Sequence, residues 1–253
     1  MRDSDRAWEI LGEQDPYYAV LVSEDFRGDG PLARNLPAFF DSGKDHLQRV
    51  LELVHEFNPA FAPNASLDFG CGVGRVTIPL AEVSKTVLAV DISPGMLNEA
   101  RKNCADRNLT NVTFMGVPDF MRIPDGSVNF VHSWIVLQHI PAQKGHALIA
   151  KLVSILEAGG VGAIHVTIHD YRPRLTRALS WIKINVPGAG MLRNIMLGRP
   201  LNFPHMQMNV YRLERIFKLL DEQGCHRVVS HFSRHGKHLG VLLIFEKSRR
   251  PSL

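Results

Sequence analysis

Apolar positions along the chain follow two different periods that alternate several times. From Ser42 to Phe57, SGKDHLQRVLELVHEF, the apolar residues Leu47, Val50, Leu51, Val54 and Phe57 recur at helical spacing. Asp41 or Ser42 would cap this helix, and Pro59 and Pro63 would end it. From residue 65 onward, short apolar runs alternate with helical segments. The runs at 65–69, 86–91 (TVLAVD), 111–115 (NVTFM), 127–133 (SVNFVHS) and 160–168 (GVGAIHVTI) predict strands, and 73–82, 94–107 and 142–157 predict helices. This alternation predicts an α/β fold, a doubly wound parallel sheet with helices on both faces. A helix at 209–223 and two strands at 226–232 and 238–246, joined by a turn near Gly236, predict an antiparallel addition at the sheet edge. Residues 1–43 show no period and read as irregular, although they carry Trp8, Tyr17, Tyr18, Phe26, Phe39 and Phe40.

Residues 171–208 break the alternation. They contain no Asp or Glu, but carry Arg172, Arg174, Arg177, Lys183, Arg193 and Arg199 among apolar residues such as Leu175, Leu179, Trp181, Ile182, Met191, Ile195 and Met196. The chain therefore reads as one domain spanning 1–253, with an N-terminal cap segment at 1–43 and an apolar, basic lid at 171–208.

Composition changes this picture little. A chain of 253 residues with 45% hydrophobic and 21% charged residues can bury a full core. Its net charge of +4 is too mild to indicate nucleic acid as a partner. No apolar run is long enough for a membrane span, and MRDSDRAWEI lacks the order of a signal peptide. Cys71, Cys104 and Cys225 are scattered and odd in number, so they read as reduced thiols of a cytoplasmic protein, with no metal-site spacing.

The chemistry is concentrated at LDFGCGVGR, residues 67–75, where Gly70, Gly72 and Gly74 lie between the first strand and a helix. Glycines at such a turn allow the backbone to approach a ligand closely. The dinucleotide pattern Gly-x-Gly-x-x-Gly fails in both registers, because its third glycine falls on Arg75 or Thr77. The Gly-Lys-Ser/Thr of a P-loop is absent. An acidic residue does stand where a ribose would be held, Asp91 at the end of TVLAVD.

Together, LDFGCGVGR, VDISPGML and VTFMGVPDFMRIPDGSVNFVHSWIVLQHIP resemble the motifs of the class I S-adenosylmethionine-dependent methyltransferases. The resemblance covers about residues 44–169. It implies a seven-stranded sheet whose last strand runs antiparallel, and S-adenosyl-L-methionine as cofactor. It also implies roles: Gly70, Cys71 and Gly72 along the methionine and ribose, Asp68 toward the methionine ammonium, and Asp91 on the ribose hydroxyls. Ile92 and Met96 would lie against the adenine, Val117, Pro118 and Asp119 at its edge, and Ser133 and Trp134 at the methionine end. Two positions depart from the family pattern: Val117 stands where an Asp is common, and Val128-Asn129 stand where Phe-Asp is common.

Transfer from a sulfonium needs an aligned nucleophile in a dry pocket, and an alcohol acceptor must also lose its proton. Candidate bases are His139 in LQHIP and His205 in FPHMQMNVY, with His169 a weaker third. The Asn/Asp-Pro-Pro-Tyr/Phe signature of adenine and glutamine N-methylation is absent after the fourth strand, where the stretch is HSWIVLQHI. The apolar lid with arginines suits a small or amphiphilic acceptor, such as a sugar, a lipid-linked glycan or a natural-product-like molecule, methylated at oxygen. N- or C-methylation, and a non-catalytic cofactor-binding subunit, are the alternatives. A homodimer contact is the alternative role for the lid.

Overall fold

The computed structural model describes residues 4–21, 32–186, 188–189, 195–196 and 207–249. Its centre is one seven-stranded sheet in the order β3-β2-β1-β4-β5-β7-β6. The strands are β1 Ala65–Phe69, β2 Thr86–Asp91, β3 Val112–Gly116, β4 Val128–Ser133, β5 Leu156–Asp170, β6 Arg227–His235 and β7 His238–Glu246. β7 alone runs antiparallel, lodged between β5 and β6. The order reverses at β1, with β2 on one side and β4 on the other, which opens a crevice beyond the carboxyl ends of these strands.

Two helical layers cover the sheet. On one face, Ile149, Leu152 and Val153 of α7 (Ala142–Ser154) and Ile216 and Leu220 of α9 (Leu213–Glu222) pack on Leu67, Val131, Ile164, Val241 and Leu243. On the other, Leu47, Val50 and Val54 of α3 (Leu32–Phe57) and Leu80 and Ala81 of α4 (Thr77–Val83) pack on Val87, Phe130, Ala163 and Leu242. The alternation of the strand sequences is thus used on both faces, as a buried parallel sheet requires.

The N-terminal segment differs from its sequence reading. It forms α1 (Ser4–Gln14) and α2 (Pro16–Val20), and α3 begins at Leu32 rather than near Ser42. Ser42 is not a cap. It lies inside α3, where its hydroxyl donates to the Phe39 carbonyl. Prolines are accommodated: Pro16 opens α2, where a missing N–H costs nothing, and Pro37 lies within α3. Packing then decides, since Tyr17, Ala19, Phe39 and Phe40 are buried with Val73, Ile78 and Met96. The Tyr17 hydroxyl bonds Glu99 and Asn103 of α5 (Pro94–Ala105). Elsewhere, apart from short helical turns at Val117–Phe120 and Leu137–His139 that the sequence reading lacks, the differences are shifts of boundary. α4 starts only at Thr77 because residues 70–76 are occupied by the glycine turn, and α9 starts at Leu213. The segment read as a lid supplies helix α8 (Arg174–Asn185).

Candidate active site

The glycine turn leaves β1 and folds onto β2: the N–H groups of Gly70 and Cys71 both donate to the Val90 carbonyl, at 2.7 and 3.0 Å. Gly70 and Gly72 have φ of +78° and +53°, the left-handed region that side chains avoid. A Cβ on Gly72 would lie 2.7 Å from Val20, and one on Gly70 would run into Val136. The turn is therefore a cradle that only glycine can line.

Asp91 closes the cradle from the end of β2. Its Oδ2 accepts from Gly72 N–H and its Oδ1 from Ser93 N–H, both at 2.9 Å. Two amide bonds fix the plane of the carboxylate and leave one lone pair on each oxygen for a diol. Burial raises its pKa, and the two amides work against that rise. Ser93 also caps α5, accepting from Met96 N–H.

The other residues singled out in the sequence divide into those that face outward and those that do not. Ile92, Pro118 and Asp119 are exposed; Pro118 and Asp119 lie on the short helix α6 (Val117–Phe120), and Asp119 accepts from Arg122. Cys71 is buried, and burial pushes its thiol pKa well up. Met96 is buried with Tyr17 and Val73 in the N-terminal cluster. Ser133 is buried, and its hydroxyl donates to the Phe69 carbonyl.

Asp68 turns inward and is 2% exposed. Its Oδ2 accepts from the Thr77 hydroxyl at 2.7 Å, and its Oδ1 lies 2.9 Å from His132 Nδ1. With that nitrogen donating to the carboxylate, His132 Nε2 accepts from His46 Nε2, 3.1 Å away. A carboxylate and two imidazoles thus form a line running from β1 through β4 to α3. Burial, then His132 and Arg75, hold the His46 pKa down to about 2, so the ring is neutral. His46 lies against Trp134, with ring centroids 4.4 Å apart, and His165 and His235 also meet the Trp134 ring, at 4.5 and 5.5 Å. Just beyond Trp134, Ile135 has φ +60°, a strained conformation for a β-branched residue.

None of this histidine group was expected. The signal in the sequence was a histidine inside each of two otherwise apolar strands, VNFVHS and GVGAIHVTI, where a titratable side chain has to be buried. Arg75 was also missed. It is 9% exposed, donates to the Ser42 hydroxyl at 3.3 Å, and has a buried Nε without a partner among the described residues.

His139 lies in a 3₁₀ turn after β4 and is 9% exposed. Both ring nitrogens are engaged: Nδ1 donates to the Gln207 carbonyl at 2.9 Å, and Nε2 lies 3.2 Å from Gln138 Nε2. Gln138 is itself held by the Thr167 hydroxyl. Trp8 of α1 meets the His139 ring edge-on. Burial lowers the His139 pKa to about 4. His169 is exposed beside Tyr171, and His205 lies outside the described residues. Among the described residues, no three His, Cys, Asp or Glu side chains gather as metal ligands would.

Residues 67–160 match the family model described as a methyltransferase domain. Over 86 residues the chain is 31% identical to the 23S rRNA (uracil(1939)-C(5))-methyltransferase of Francisella tularensis subsp. novicida. That match takes in 34% of this chain and 18% of the relative, so the chain spans less than a fifth of that relative's length. In three dimensions it is similar to the magnesium protoporphyrin IX methyltransferase of Synechocystis with bound SAH, at a TM-score of 0.60 and 19% identity, covering 97% of this chain and all of the other. It is also similar to a Haemonchus contortus phosphoethanolamine N-methyltransferase, at a TM-score of 0.56 and 15% identity, covering 79% of this chain and 52% of the other.

Proposed function

We propose that this chain, a member of the class I S-adenosylmethionine-dependent methyltransferases, methylates a small or amphiphilic acceptor, with oxygen as the preferred atom. The observation that carries the cofactor assignment is the Asp91 carboxylate, fixed by Gly72 and Ser93 beside a cradle only glycine can line. Asp91 would hold the ribose hydroxyls. Gly70, Cys71 and Gly72 would run along the ribose and methionine, and Ile92 with Val117, Pro118 and Asp119 would border the adenine. Ser133 and Trp134 would flank the methionine end. Asp68 and Met96, which lie inward, would act by holding these elements in place.

When bound, S-adenosylmethionine supplies a methyl group on a positively charged sulfur. The chain's own part is to position the acceptor, exclude water and receive a proton from a hydroxyl acceptor. His46 is suited to receiving that proton. Its Nδ1 has no hydrogen bond among the described residues; burial, His132 and Arg75 disfavour charge on the ring itself, so the proton on its Nε2 would pass on through His132 and neutralise Asp68. His139 can receive a proton only if its bond with Gln138 opens. Its bond to the Gln207 carbonyl, with the Asn209 side chain donating to the Gln138 carbonyl, fastens residues 207–209 to the turn after β4.

A small acceptor is supported by neighbours whose names specify a magnesium protoporphyrin and a phosphoethanolamine. RNA is the competing acceptor, from the rRNA-modifying relatives. The test is calorimetric binding of S-adenosylhomocysteine, followed by transfer of labelled methyl to a panel of phenols, amphiphilic carboxylic acids, amines and total RNA. Label confined to RNA would reject the acceptor class. Label only on amines would move the reaction to nitrogen. Binding without transfer to any acceptor would favour a non-catalytic subunit.

A further inference from the structure

Helix α8 does not bury its apolar stripe. Leu175, Leu179 and Ile182 recur at helical spacing and continue into Val186, yet they are 72%, 49%, 40% and 43% exposed. Every residue from Arg174 to Ile182 is exposed except Ser180, which is intermediate. An isolated helix of this length is marginal in water, and an amphipathic helix normally derives its stability from covering its apolar face. On the side of the helix turned away from the stripe, Arg174, Arg177 and Trp181 follow one another at the same spacing, and Trp181 is 62% exposed. The apolar exposure continues beyond the helix at Ile195 and Met196, which are 59% and 78% exposed.

Charge selects the occupant. From residue 171 to 208 the sequence has six Arg or Lys and no acid. The acid just before the segment, Asp170, is committed: Arg172 grips both its oxygens at 2.8–3.0 Å, and His238 stands 3.6 Å away. Burial alone would raise the Asp170 pKa, and the bonds from Arg172 overcome this and hold it low. The remaining cations therefore have no local counter-charge in the sequence of this segment. An apolar stripe with leucines, arginines on the opposite face and no acid match the physics of a helix lying in the headgroup region of a lipid layer. No described helix is long and apolar enough to cross a membrane, so the contact would be along the surface.

We propose that α8 docks the protein on an anionic lipid surface, with Leu175, Leu179 and Ile182 inserted and Arg174 and Arg177 on the headgroups. The proposal does not depend on which acceptor is methylated. It is tested by sedimenting the full chain with vesicles of phosphatidylglycerol and phosphatidylcholine, compared with phosphatidylcholine alone. Binding to the anionic vesicles should be at least about tenfold tighter and should weaken with salt. Replacing Arg174 and Arg177 by Gln should weaken binding about ten- to thirtyfold, and Leu179→Ser with Ile182→Ser should abolish it. Circular dichroism and melting should stay unchanged in both double variants, because all four side chains are exposed. Equal binding to both vesicle types, or none, would overturn the proposal. So would a concentration-dependent dimer that Leu179→Ser dissociates, or binding of RNA in place of vesicles.

Discussion

Asp68 on β1 and His132 on β4 face each other in register across neighbouring parallel strands and join at 2.9 Å, both nearly free of solvent. A buried carboxylate is stable only while its partners are in place, because removing one leaves charge with neither water nor a donor. His132→Leu should cost about 2–4 kcal/mol of stability. His132→Asn, which keeps a donor near the same place, should cost less. Urea unfolding of the two variants checks this, and equal losses would mean that cavity size rather than the bond controls the effect.

The pH dependence has a definite sign. His46, His139 and His165 have pKa values lowered by burial to about 2, 4 and 3, whereas in the unfolded chain an imidazole titrates near 6.5. As pH falls below that value the unfolded chain takes up protons that the folded chain refuses, so stability is full above it and declines toward the folded values. Each ring contributes a limiting slope of about 1.4 kcal/mol per pH unit, and the three together about 4 kcal/mol of loss by pH 5.5 as an upper bound. Denaturant midpoints at pH 7.5, 6.5 and 5.5 measure it, and His165→Gln should flatten the curve. A level profile across that range would show that the imidazoles protonate in place.

Asp91→Ala should weaken S-adenosylmethionine binding by about 1.5–3 kcal/mol, the range for charge-assisted hydrogen bonds. Part of the loss would come from the turn itself, since Gly72 loses its anchor. Calorimetry on Asp91→Asn, which retains acceptors but not charge, should give an intermediate affinity. Unchanged binding in the alanine variant would place the ribose elsewhere.

For an oxygen acceptor, His46→Ala should lower single-turnover rates by about 10²–10⁴. His139→Ala should act differently: a raised KM for the acceptor, a lower melting temperature and kcat within about tenfold, because both of its nitrogens bond within the protein. The reverse result would put the base at His139, where the chain order after β4 suggests it. With an amine that arrives neutral, His46→Ala should have little effect.

What could be read from the sequence follows from physical range. Strands such as Ala65–Phe69, Thr86–Asp91 and His238–Glu246 appear as runs of apolar residues because both faces of a sheet centre are covered, and that is a local property. Asp91 could be placed because the turn and the second strand lie close in sequence. The His46–His132–Asp68 line could not, because its members come from three elements whose contact depends on how α3 crosses the sheet. The N-terminal helices escaped for a related reason. Their residues show no local period, and the buried contacts of Tyr17 and Phe39 that hold them are made at a distance.

The placement of β7 imposes an order on synthesis. β5 is the longest strand and ends at Asp170, and its outer partner begins at His238, so roughly seventy further residues must emerge before that ladder can form. Until then the nascent sheet presents the open hydrogen-bonding edge of a strand whose side chains are apolar on both faces, a surface prone to pair with the wrong chain. β6 arrives first and has to wait, or bind the vacant edge in the wrong place. Closure of the sheet therefore comes late in translation, and slowing elongation over residues 171–237 should lower the soluble yield more than slowing it over β1 to β4.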